Sequence, residues 1–115
     1  MDNSNLIQDK SFSFALSIIE LYKQLKAENE FIISKQLLRS GTSIGANIEE
    51  GLYGQSRADF IAKLSISLKE AVETRYWLKL LKQSSLVNID LKKYLSSIDD
   101  IINILVKILK TSKAS

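Results

Sequence analysis

The sequence predicts an all-α fold, an up-down-up-down antiparallel four-helix bundle formed as one domain over residues 1–115, and three observations predict it. Apolar residues recur at steps of three and four along four separate segments. Proline is absent from the whole chain. The stretches between the segments are short, so neighbouring helices must turn back on one another. Composition agrees: of 115 residues, 45% are hydrophobic and 25% charged, the balance of a globular chain with one modest core.

Each element has its own signal. The first helix is expected over about residues 9–27, where Phe14, Ile18, Leu21 and Leu25 share a face. AENE and the apolar FII that follows close it. The second is expected over about 35–53, with Ser34 as an N-cap whose hydroxyl can accept from the first free N–H groups, and Gly54 ends it. Ser56 caps a third helix at about 57–83, and Asp59, three residues on, completes a capping box with a shorter acid than usual. Phe60, Leu64, Leu68, Ala71, Leu78 and Leu81 then lie on one face. The fourth, about 90–111, carries Leu91, Leu95, Ile98, Ile102, Leu105 and Leu109 to a basic tail at Lys110 and Lys113, where cations complement the helix C-terminus.

The stretch RSGTSIGANIEEG, residues 39–51, interrupts this pattern with three glycines. A phosphate loop would need Gly-Lys-Ser/Thr after a strand, and a dinucleotide fingerprint would need G-x-G-x-x-G after a strand; neither spacing nor strand is present. A nucleophile elbow would need G-x-S-x-G, whereas the string is G-T-S-I-G, and with no histidine in the chain Ser43 has no ordinary base to activate it. The absence of cysteine excludes disulfides and thiolate metal sites. No run approaches the ~20 apolar residues of a membrane helix, and no basic-then-apolar leader opens the chain, so the expected location is the cytoplasm with no membrane partner. No cofactor is expected.

What remains for residues 39–51 is packing. Gly41 and Gly45 stand four apart on one helical face, the spacing that lets another helix approach closely. With a turn near Gly54 and Gln55, facing residues of the second and third helices should have numbers summing to about 109. That register sets Gly45 against Leu64, Gly41 against Leu68, Leu38 against Ala71, Ile48 against Ile61 and Arg39 against Glu70. Helix-packing roles are therefore expected for Gly41, Gly45, Leu64 and Leu68, at a cost of about 0.5–1 kcal/mol per mid-helix glycine that close packing must offset.

The strings KQLLRSGTSIGANIEEG and DFIAKLSISLKEAVETRYWLKLL also carry a resemblance. The chain resembles the four helix bundle proteins encoded by intervening sequences in bacterial large-subunit ribosomal RNA genes, and it is distantly similar to the accessory protein of diversity-generating retroelements. The resemblance covers roughly the whole chain, and Arg39, Ser43, Gly45, Asn47, Glu49, Glu70, Glu73, Tyr76 and Trp77 match the family's motif. It implies a small cytoplasmic bundle that assembles as a homopentamer, without catalytic residues. The retroelement relative implies nucleic-acid binding through a basic surface.

Two chemical readings follow from the residues themselves. Glu49, Glu50, Glu70 and Glu73 suggest a magnesium-dependent nucleotide hydrolase, since hard cations take oxygen ligands gathered from facing helices. In the register above, however, the first pair lies about ten residues from the second, ~15 Å at 1.5 Å per residue, which one ion cannot bridge. The other reading is nucleic-acid binding. Sixteen basic residues against thirteen acidic ones leave +3, and the topology gathers Lys23, Lys26, Lys35, Arg39, Arg75, Lys79, Lys82, Lys92 and Lys93 at the end holding the first and third loops. Repeated around a homo-oligomeric ring, that patch would attract RNA or DNA. Tyr76 and Trp77, adjacent and so about 100° apart, cannot both face the core. One is expected to close it and the other, with Ile61, Ile66 and Val72, to pack between subunits.

Overall fold

Four helices account for most of the chain: α1 (Asn3–Ala27), α2 (Ile33–Leu52), α3 (Arg57–Ser84) and α4 (Lys92–Ala114). The structure is a computed structural model and describes residues 3–114, with no strand among them. Each helix packs on its chain neighbours, and α4 returns to α1, so the four close into a bundle of 46 × 22 × 20 Å. Contacts run antiparallel. Between α1 and α2, Gln8 meets Glu49, Ser11 lies beside Gly45 and Ile18 beside Gly41. Between α2 and α3, Lys63 bonds Glu50, Ser67 meets Ile44 and Thr74 meets Ser40.

The core is the apolar stripe of each helix turned inward. Phe14, Ile18, Leu21, Leu25, Leu64, Ala71, Leu78, Leu81, Ile98, Ile102, Leu105 and Leu109 are buried, each larger side chain stabilising by about 1.5–3 kcal/mol. Phe60, Leu68 and Leu95 are half-buried at its margin. α1 begins earlier than residue 9 because Ile7 and Ser11, both buried, extend its stripe by two turns. α4 begins at Lys92 rather than 90, since the Asp90 carboxylate accepts from the Lys92 N–H (3.0 Å) and stands outside the helix.

Ser34 does not cap α2. It sits inside the helix, fully buried, and the capping group is Glu30, whose carboxylate accepts from the N–H groups of Ile32 (3.1 Å), Ile33 (3.0 Å) and Ser34 (2.6 Å). A glutamate outside the helix reaches three free donors that one serine hydroxyl could not satisfy. Glu30 is held in place by the end of α1. Asn29 adopts a left-handed φ of 64°, while the Asn29 N–H donates to Lys26 O (2.9 Å) and the Glu30 N–H to Leu25 O (2.9 Å), a Schellman closure built on asparagine instead of glycine. Ser56 does cap α3, accepting from Asp59 N–H (3.1 Å), and Asp59 accepts in return from the Gln55 N–H (3.2 Å).

The glycines of α2 divide between two neighbours, and their partners differ from those of the simple register. A Cβ at Gly41 would stand 2.9 Å from Cγ2 of Ile18 on α1, not against Leu68. Gly45 also faces α1, with Ser11 at ordinary contact distance, so Leu64 does not fill it. Leu64 packs instead against Gly51, where an added Cβ would lie 2.8 Å from its Cδ1. The cause is angular: at 100° per residue, Gly41 and Gly45 fall on the α1 side of the stripe Leu37, Ile44, Ile48, whereas Ser40 and Gly51 fall on the α3 side. On that α3 side small polar residues interlock. Ser67 donates to the Ile44 carbonyl (2.9 Å), and Thr74 Oγ1 lies 2.8 Å from both Ser40 Oγ and the Glu70 carbonyl oxygen.

Candidate nucleic-acid interface

The α1–α2 and α3–α4 loops lie together, joined by the Asn88 N–H donating to a Glu28 carboxylate oxygen (2.8 Å). Lys23 and Lys26 at the end of α1, Lys35 and Arg39 at the start of α2, Arg75, Lys79 and Lys82 in the C-terminal half of α3, and Lys92 and Lys93 opening α4 all belong to this half of the bundle. They are not equivalent. Arg39 is removed from the free cations: it donates to Glu70 (2.9 Å) and to Glu73, and these bonds hold its guanidinium charged and raise its pKa. Glu73 also accepts from the Trp77 indole N–H (2.9 Å), the largest cause that lowers its carboxyl pKa, followed by its bond to Arg39. Arg75 is bonded to Asp99 (3.2 Å), and Lys23 lies 3.3 Å from Glu20.

Of these nine residues, six lysines are exposed and make no ion pair among the described residues: Lys26, Lys35, Lys79, Lys82, Lys92 and Lys93. Lys26 and Lys82 stand in last turns, where they complement the helix C-terminus. Lys35, Lys92 and Lys93 stand in the first turns of α2 and α4, where the helix dipole disfavours a cation; the acids at these ends, Glu30 and Asp90, lie outside the helices with their carboxylates bonded to backbone N–H groups. Nothing in folding requires lysine there. Lys26 and Lys93 are laid over the rings of Tyr22 and Tyr94 (both 5.1 Å), which orients them without cancelling their charge.

The four carboxylates of the hydrolase reading are not brought together. Glu49 accepts from Gln8 (2.6 Å) and Glu50 from Lys63 (2.7 Å) beside the α2–α3 turn, while Glu70 and Glu73 hold Arg39 more than two turns away along α2. No cluster of three or more potential ligands occurs among the described residues. Ser43 donates to the carbonyl of Arg39 in its own helix (2.7 Å), a bond that suits a helix residue and not a nucleophile. Of the aromatic pair, Trp77 packs against the core, and Tyr76 is exposed, stacked edge to face on it at 5.4 Å.

Sequence reasoning missed the groups that shape this end. Phe31, Ile32 and Leu86 are exposed and line one hollow with Glu28, Asn29 and Glu30. The signal was present in FII, which was read only as a helix terminator. On α1, Phe12, Leu16 and Ile19 form an exposed apolar strip, and on α3 Ile66 and Val72 are exposed while Ile61 is half-buried against the core. No helix among the described residues is long and apolar enough to cross a membrane.

Comparison with known proteins agrees with the architecture. No curated protein matches the chain. A solved structure from Bacteroides thetaiotaomicron, described as a protein of unknown function from the S23 ribosomal protein family, is 48% identical, with a TM-score of 0.90 over 95% of this chain and 99% of its own. The sequence model of the 23S rRNA-intervening sequence proteins matches residues 3–107, which hold α1 to α3 and most of α4, and the chain therefore belongs to the 23S rRNA-intervening sequence protein family.

Proposed function

We propose that this chain is a non-catalytic, cytoplasmic assembly protein, an up-down-up-down bundle that forms a homo-oligomeric ring, a pentamer, and binds RNA or DNA at the loop end. The observation that carries the binding half is the placement of Lys35, Lys92 and Lys93 in helix first turns, without acid partners, beside Lys26, Lys79 and Lys82. The first-turn lysines oppose the helix dipole and none of the six makes an ion pair among the described residues, whereas a polyanion would release counterions on binding them. Assembly is supported by exposed apolar side chains on two non-adjacent helices, the strip Phe12, Leu16 and Ile19 on α1 and the pair Val72 and Tyr76, one turn apart, on α3.

A salt-titrated binding measurement tests the reading. The wild type should bind labelled RNA or DNA with an affinity that falls steeply as salt rises. Changing Lys79, Lys82, Lys92 and Lys93 to glutamine should weaken all sequences about equally and flatten that slope, and changing Lys107, Lys110 and Lys113 should do much less. Equal effects from the two sets would refute a located site, and no binding at low salt would remove the function. Light scattering at the 13.0 kDa monomer mass would remove the ring.

A further inference from the structure

We infer that the loop end recognises single-stranded nucleic acid, with the Phe31 ring as a stacking platform for an unpaired base; the inference rests on the nucleic-acid function proposed above. Phe31 is 48% exposed, Ile32 77% and Leu86 57%, and the three line one hollow between the two loops. Lysines stand within about one helical turn of those loops on all four helices: Lys26, Lys35, Lys82, Lys92 and Lys93. An exposed ring at an end of the bundle that carries lysines on all four helices meets the two demands of a single strand, a face for the base and charge for the backbone. Within a duplex both faces of a base are already stacked on its neighbours.

The platform is built to hold still. Phe31 follows Asn29, fixed in a left-handed turn, and Glu30, whose carboxylate is tied to the N–H groups of Ile32, Ile33 and Ser34. The Glu28 bond to Asn88 ties that loop to the one carrying Leu86. A ring presented on a rigid loop loses little freedom on stacking. The hollow's own polar wall favours a base over the alternatives. Glu28 and Glu30 would repel a free phosphate and would be costly to press into the headgroups of an anionic bilayer, whereas the Glu28 oxygen not bonded to Asn88 can accept from the amino edge of a base.

The test compares a fluorescein-labelled single-stranded RNA of mixed sequence with the duplex of the same length, using the full chain. The single strand should bind more tightly than the duplex at equal salt. Phe31→Ala should weaken single-strand binding roughly tenfold with an unchanged salt slope, since no lysine is lost, and should leave duplex binding and melting temperature as they were. Phe31→Tyr should restore the affinity. Single-strand binding unchanged by Phe31→Ala, or a preference for duplex, would overturn the platform while leaving the basic-end function intact; no nucleic-acid binding by the wild type would overturn both. Binding to vesicles of anionic phospholipid that is lost in Phe31→Ala, with RNA affinity unchanged, would reassign the hollow to lipid.

Discussion

The middle of the bundle and its loop end use similar residue types for opposite purposes. Along α2, small and polar side chains are used to join helices: Gly41 lets Ile18 close in, Ser67 and Thr74 bond across to α2 in the interior, and Arg39 is held at the surface by two carboxylates of α3. At the loop end, polar groups of the backbone are satisfied by Glu28 and Glu30, while the Phe31, Ile32, Leu86 hollow and six lysines without ion pairs among the described residues are exposed. A charge with a partner serves the fold. The lysines of the first turns, Lys35, Lys92 and Lys93, oppose the helix dipole and make no such ion pair among the described residues.

The comparison can be broken first at Gly41. Gly41→Leu would drive a side chain into Ile18, which is itself fully buried and cannot withdraw, so the expected loss is about 3 kcal/mol or more, read as a large fall in melting temperature. An unchanged melting temperature would show that α1 and α2 are not closely packed there. Next is Glu30→Ala, which strands three N–H donors at the start of α2 and should cost about 1–3 kcal/mol by chemical denaturation. Because it also frees the loop bearing Phe31, it should weaken nucleic-acid binding although it removes a negative charge. Stronger binding would mean that charge alone governs this end.

A smaller effect separates folding from function most sharply. Lys35→Gln removes a cation from the first turn of α2 without setting a second acid beside Glu30, so stability should hold or rise by up to about 0.3–1 kcal/mol while nucleic-acid affinity falls. If both fell together, Lys35 would have a structural role that the structure does not display. Smallest is Gly45→Ala. Its Cβ would meet Ser11 at 3.4 Å, an ordinary contact, so the gain in helix propensity should leave stability within about 0.5–1 kcal/mol of the original, on the stabilising side. A loss like that at Gly41 would restore a true notch at both glycines.

How far the sequence could be read depended on whether a feature was periodic or angular. The stripe Phe14, Ile18, Leu21, Leu25 declared α1 and its buried face, and the Ser56, Asp59 pair declared the start of α3, because both signals lie within a few residues of one another and need no partner. The pairing of Arg39 with Glu70 also followed from counting along two antiparallel helices. Counting failed for Gly41 and Gly45, since residue number gives height along a helix and leaves open which of two neighbours a side faces. Ser34 misled because its type suits a cap, and a glutamate four residues earlier took the role once the α1 turn had placed it.

By itself, then, the sequence determined four amphipathic helices, their order, the absence of histidine and cysteine chemistry, and a surplus of lysine near two loops; these are properties of composition and local spacing. Only the tertiary structure decided which cations are free, which glycines are crowded, and that Phe31 and Leu86, 55 residues apart in number, line one hollow. The physical reason is that charge pairing and close contact are relations between surfaces, and a surface exists only after the helices have chosen their rotation about their own axes.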